Sequence, residues 1–177
     1  MYTELSILAV FFEDPTTHFH IREIARLTTL NHMTARKYLN LFVKEGVLNK
    51  KPGKLFGAYS ANGNSRKFQN LKLYYNLEKL RQANLIEDLE HFYEYPIIIL
   101  FGSYAKSSNV KESDIDICVI SNIQKKFSAQ KYIKILQREV SIHKYTQKEF
   151  EVLKTKNPEL VNSLCNGIVL SGQLEIL

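Results

Sequence analysis

Apolar residues recur at helical spacing from the start of the chain. Leu5, Leu8, Ala9 and Phe12 predict an amphipathic helix over 3–13 that ends near Pro15. Phe19-His20-Ile21 reads as a short extended piece and Arg22–Leu27 as a brief helix. Thr28-Thr29-Leu30-Asn31 follows as a turn in which Asn31 suits an N-cap. From His32 to Glu45 the pattern predicts a longer helix, with Gly46 placed to end it. Its apolar positions Ala35, Leu39, Phe42 and Val43 share one face, and His32, Arg36, Lys37, Asn40 and Lys44 fall away from it. Val47–Lys51, a Pro52-Gly53 turn and Lys54–Ser60 then predict a hairpin with three lysines near its tip.

Residues 61–70 are polar and contain the Asn62-Gly63 turn signal, so the expected boundary divides the chain into 1–65 and 66–177. Leu73, Leu77, Leu80, Leu85, Leu89 and Phe92 predict one or two helices, a helical linker over 66–94. Beyond it the period changes. Ile97–Phe101 and Ile115–Ile120 are β-type runs, and Arg138–Tyr145 is a third. Phe127–Leu136 reads as a crossing helix. Thr146 and Glu149 spell a capping box for a helix through Leu153. Asn157-Pro158 opens another helix to about Asn166, before an extended Ile168–Gly172. With helices and strands in both halves, the expected fold class is α+β.

Composition narrows the class. The chain of 177 residues is 45% hydrophobic and 24% charged, as expected of a globular protein. It has no apolar run long enough to span a bilayer and no signal-peptide pattern, so the expected location is cytoplasmic and membranes are not expected partners. Two cysteines, Cys118 and Cys165, are too few for a disulfide framework or a zinc site. His18 and His20, at strand spacing without a third ligand, read as surface residues. The net charge of +6 is concentrated: residues 1–70 carry ten Lys/Arg against five Asp/Glu. Between Arg36 and Lys67 there are eight basic residues and one acid, Glu45. A local basic excess of this kind points to nucleic acid more directly than a pI of 9.2 does.

Candidate chemistry lies in the second half. An apolar run ends at Gly102-Ser103, and eleven residues later Asp114-Ile115-Asp116 opens another. Side chains alternate along a strand, so Asp114 and Asp116 share a face. Two adjacent carboxylates repel unless a cation lies between them, and hard oxygen ligands suit Mg²⁺. Gly102 permits close approach of backbone to a ligand, and N–H groups opening a helical turn attract phosphate. Ser103 adds a hydroxyl donor. Lys106 and Lys111 are placed to neutralise phosphate charge.

Gly-Ser-x-Ala followed by Ser-Asp-x-Asp on a strand resembles the minimal nucleotidyltransferases of the DNA polymerase β superfamily, over about Tyr74 to the C-terminus. The resemblance implies a small mixed-sheet domain. It implies a Mg²⁺ site at Asp114 and Asp116, with the phosphates of an NTP, ATP by preference, held at Gly102, Ser103 and Lys106. Residues 3–60 resemble a winged helix-turn-helix in layout. That resemblance implies double-stranded DNA as a partner, contacted by His32, Thr34, Arg36 and Lys37 from the long helix. Lys50, Lys51 and Lys54 would touch backbone from the hairpin. Winged-helix regulators are often homodimers, and a dimer is implied here too.

Two positions depart from the family's pattern. Active members carry a third carboxylate on a later strand, where this chain has Ser141 or His143; Glu139 lies on the same face one step early. Either Glu139 substitutes as a catalytic group or the site lacks its general base. Ser107 stands where the family commonly has glycine. The resemblance therefore supports two leading functions, with tailing of an RNA end a weaker third for which the sequence shows no dedicated RNA-binding motif. One is nucleotidyl transfer to a hydroxyl acceptor, for which small family members offer a tyrosine of a HEPN-domain toxin in toxin–antitoxin systems. The other is a DNA-binding regulator or antitoxin on a degenerate nucleotide-binding domain.

Overall fold

A computed structural model describes residues 3–53 and 57–174. The protein is α+β, and the chain divides into two compact units, Met1–Tyr75 and Asn76–Leu177. None of the described helices is long and apolar enough to cross a membrane.

The first unit contains α1 (Thr3–Glu13), β1 (Phe19–His20), α2 (Ile21–Thr28), α3 (His32–Lys44), β2 (Leu48–Lys51) and β3 (Ala58–Ala61). Its three strands form an antiparallel sheet in the order β1-β3-β2. The Asn31 side chain caps α3, accepting from the Thr34 N–H at 2.7 Å. Gly46 (φ +70°) turns the chain out of α3 toward β2. Ile7, Phe11 and Phe12 of α1 pack with Ile24, Leu39, Phe42 and Tyr59 in one core. Lys54 of the predicted hairpin lies outside the described residues.

Residues 61–70 are not wholly a loop. Helix α4 (Arg66–Gln82) starts within them, and the compact units divide at Tyr75/Asn76 rather than at 65/66. The cause is apolar packing that the polar composition masks. Phe68 and Tyr75 are buried with their rings 5.2 and 5.4 Å from Phe12, which ties this part of α4 to the first core.

The second unit continues with α5 (Leu85–Phe92), β4 (Ile97–Phe101), α6 (Gly102–Ala105), β5 (Ile115–Ile120), α7 (Gln130–Leu136), β6 (Val140–Tyr145), α8 (Gln147–Lys156), α9 (Pro158–Cys165) and β7 (Ile168–Ser171). Asn84 (φ +55°) separates α4 from α5, so the apolar stretch makes two helices. The sheet order is β6-β5-β4-β7, with β5 and β6 parallel and the other pairs antiparallel. Both faces are covered, which explains the near-continuous apolar runs of β4 and β5. Ile98, Leu100, Ile115, Ile117 and Val119 pack with Leu85, Leu89 and Tyr132 of α5 and α7. Ile99, Phe101, Cys118 and Ile120 pack with Phe150 and Leu164 of α8 and α9. Helix α7 begins at Gln130, not Phe127. The Phe127 N–H instead donates to the Tyr93 hydroxyl at 3.3 Å, and its ring lies 5.2 Å from Phe92.

Candidate active site and nucleic-acid face

Strand β4 ends at Phe101, paired across the sheet with Asp116 of β5. The next residue, Gly102, has φ +69°, a conformation that side chains disfavour. A Cβ built there would overlap an Asp116 carboxylate oxygen and lie 3.3 Å from its Cγ. The aspartate therefore rests directly on the glycine backbone. Ser103 follows in the first turn of α6, whose opening N–H groups have no acceptor within the helix. On the other side of β5, Asp116 is registered with Ser141 of β6. Phe101, Asp116 and Ser141 thus form one row across three strands.

Asp114 stands two residues before Asp116, exposed, just ahead of β5. Burial holds the half-buried Asp116 carboxyl above the usual carboxylate range, and the Asp114 charge adds to the rise. His143, whose ring meets Phe101 edge-on at 5.4 Å, opposes it electrostatically. A cation at the two carboxylates would relieve their repulsion, so an all-oxygen pair beside a side-chain-free glycine fits Mg²⁺. Among the described residues no three His, Cys, Asp or Glu side chains gather closely enough to form a larger metal cluster.

The expected third acid is absent from the Asp116 row, where Ser141 stands. Asp114 and Glu139 each precede the Ile115–Val140 pair by one residue, and the Glu139 carbonyl accepts from the Ile115 N–H at 2.9 Å. Glu139 is thus level with Asp114 and exposed. Lys106 closes α6, also exposed. Ser107 adopts φ +56°, keeping the left-handed turn for which glycine is the ordinary choice.

Sequence reasoning missed what holds this turn. The buried Asn76 amide donates to the Tyr104 carbonyl at 3.1 Å and to the Asn109 side chain at 3.0 Å. The Tyr104 hydroxyl in turn accepts from Arg138 Nε at 3.2 Å. The available signal was an asparagine set among Tyr75, Leu77 and Leu80.

In the first unit, His32, Arg36, Lys37, Lys50 and Lys51 are exposed and Thr34 is half-buried at the start of α3. Ala35, Leu39 and Phe42 face the core, so α3 presents its basic side outward. Glu45, the one acid in this basic stretch, is held by Lys67 at 2.7 Å. Lys50 and Lys51 project from β2, with the Lys50 ammonium 5.6 Å from the Tyr59 ring centroid.

Residues 82–166 match the family model of the nucleotidyltransferase domain, a stretch that contains the Gly102 turn, Asp114, Asp116 and Ser141. A search of curated proteins finds no match. Among solved structures, similarity extends to Sso10a-2, a DNA-binding protein from Sulfolobus solfataricus. The identity is 22%, with 51% of this chain and 92% of that one covered at a TM-score of 0.37. A putative transcriptional regulator from Rhodococcus sp. RHA1 is 15% identical, with 71% and 46% covered at a TM-score of 0.32. At such TM-scores neither establishes a shared fold. Over residues 82–166 the second unit is therefore similar to nucleotidyltransferase domains.

Proposed function

We propose that the second unit transfers a nucleotidyl group from an NTP, ATP by preference, to a hydroxyl acceptor. We further propose that the first unit is a winged helix-turn-helix that binds double-stranded DNA. The observation that carries the transferase reading is the Asp116 carboxylate seated on Gly102 with the Asp114 charge beside it. In this reading Asp114 and Asp116 hold Mg²⁺, and Ser103, the α6 N–H groups and Lys106 hold the terminal phosphates. Held by these two carboxylates, Mg²⁺ would supply charge neutralisation at the reacting phosphate. Acceptor oxygen forms a bond to the α-phosphorus, the bond to the pyrophosphate leaving group breaks, and the acceptor proton passes to the Glu139 carboxylate. A tyrosine of a HEPN-domain partner is the acceptor that the family resemblance favours.

The test is incubation of the full chain with α-³²P-labelled NTPs and Mg²⁺, with and without proteins encoded nearby. Label should move to a protein or nucleic acid and be lost in Asp114→Ala/Asp116→Ala. Equal transfer by that variant would sink the assignment.

One observation favours a second reading. Ser141 occupies the row position beside Asp116, so this site holds two carboxylates where active relatives hold three. General-base assistance is worth about 10²–10⁴-fold, so its loss would leave nucleotide binding with slow chemistry. The protein would then be a DNA-binding regulator or antitoxin whose second unit senses nucleotide. NTP binding that shifts DNA affinity without label transfer would establish that reading.

A further inference from the structure

The first unit contains a cavity of about 600 Å³, separate from the candidate active site. His20 at the end of β1, Arg22 in the first turn of α2, His32 and Arg36 on α3, and Lys50 on β2 line it. These five cationic or protonatable groups come from four elements and surround one hollow. The single carboxylate on the lining, Glu23, already accepts from the His20 backbone N–H at 2.7 Å. His20 Nδ1 lies 3.3 Å from the Gly57 carbonyl. The buried Tyr59 ring supplies an apolar part of the wall.

Size and charge together define the ligand. Small-molecule sites occupy roughly 300–1,000 Å³, and a lone phosphate group would fill only a small part of this one. Guanidinium groups such as Arg22 and Arg36 recognise phosphate through paired N–H donors. We propose that this cavity binds a phosphorylated small molecule of nucleotide size. His32, Arg36 and Lys50 are also the groups assigned to DNA, so ligand and DNA exclude one another on this face. The exclusion rests on the DNA-binding reading; the cavity's occupancy does not.

The experiment uses the full chain with Asp114→Asn and Asp116→Asn, in EDTA, so that the carboxylate site is silent. Calorimetric titration with ATP, and separately with inorganic tripolyphosphate, should show binding. Adding His20→Gln and Arg22→Gln should weaken it at least 10-fold, with circular dichroism confirming the fold. Lys50→Glu, a charge reversal on an exposed strand position, tests the same cavity if the first pair fails to fold. Anisotropy of labelled DNA at constant ionic strength should fall as ATP is added. Absence of binding in EDTA, or binding that the cavity variants leave unchanged, would overturn the proposal. Weakened DNA binding in the variants with no affinity for either probe would also overturn it, because the cavity would then serve the DNA backbone alone. If the protein binds no DNA the exclusion fails, and the calorimetric arm still decides the cavity.

Discussion

The Asp116 carboxylate occupies the space in which a side chain at position 102 would stand. Gly102 is therefore required twice, by its φ of +69° and by this contact. Gly102→Ala must strain the left-handed backbone, at about 1–2 kcal/mol, and push the carboxylate off its seat. The expected result is a lower melting temperature together with loss of Mg²⁺-dependent NTP binding. A variant that melts normally and binds NTP as before would show that the seat is unimportant.

Asp116 couples the site to pH. Its folded-state pKa is raised above 3.8, first by burial and then by Asp114, so the folded protein holds this proton more tightly than the unfolded chain does. Between 3.8 and the raised value the stability contribution of Asp116 falls as pH rises. Asp116→Asn should then melt higher than the parent at neutral pH, with the advantage vanishing below the titration. Mg²⁺ should raise the parent's melting temperature and leave Asp116→Asn unmoved. Melting curves from pH 3 to 7, with and without Mg²⁺, decide it; a destabilised Asp116→Asn at neutral pH contradicts the argument.

Ser107 holds a left-handed conformation, φ +56°, five residues after Gly102. Non-glycine residues in this region carry a cost of order 1 kcal/mol, part of which glycine would return as unfolded-chain entropy. Ser107→Gly should stabilise the protein by about 0.5–1 kcal/mol in denaturant titration, with NTP affinity unchanged or improved. Destabilisation would mean that the serine's own contacts outweigh the backbone cost.

Lys50 and Lys51 are adjacent and exposed on β2. If each neutralises one DNA phosphate, Lys50→Gln/Lys51→Gln should reduce the slope of log affinity against log salt by about 2, at roughly 0.9 per contact. The loss should be the same for unrelated DNA sequences, since phosphate contacts carry no base information. Arg36→Gln on α3 should instead weaken some sequences more than others. An unchanged salt slope removes the lysines from the interface.

Much of this was legible in the sequence, for identifiable reasons. Period-2 and period-3.6 patterns located Ile97–Phe101, Ile115–Ile120 and α3 because each buries a continuous apolar face. Asn31, Gly46 and Thr146 marked helix ends because capping is local chemistry. The start of α4 was hidden because only Phe68, among polar neighbours, packs inward there. The Asn76–Tyr104–Asn109 bonds join positions about thirty residues apart, and no local pattern reports a long-range pair. The basic cavity escaped for the same reason, since His20, His32 and Lys50 meet only once β1, α3 and β2 are assembled.

Ser141 offers the sharpest test of what the second unit does. It is registered beside Asp116 on a parallel strand, so an aspartate there would share a row with one of the two carboxylates proposed to hold Mg²⁺. Ser141→Asp would add a third negative charge beside Asp116, whose carboxyl is already held above its usual range by burial and the Asp114 charge. Without metal the variant should melt lower than the parent; with Mg²⁺ the order should reverse, because the ion gains a ligand. If the missing acid is what slows chemistry, label transfer should increase toward the 10²–10⁴-fold that a general base supplies. If Glu139 already fills the role from its place beside Asp114, Ser141→Asp should add little and Glu139→Gln should abolish transfer. Tighter Mg²⁺ binding with no transfer in either background would leave the domain as a nucleotide sensor, and the DNA-affinity measurement would then carry its function.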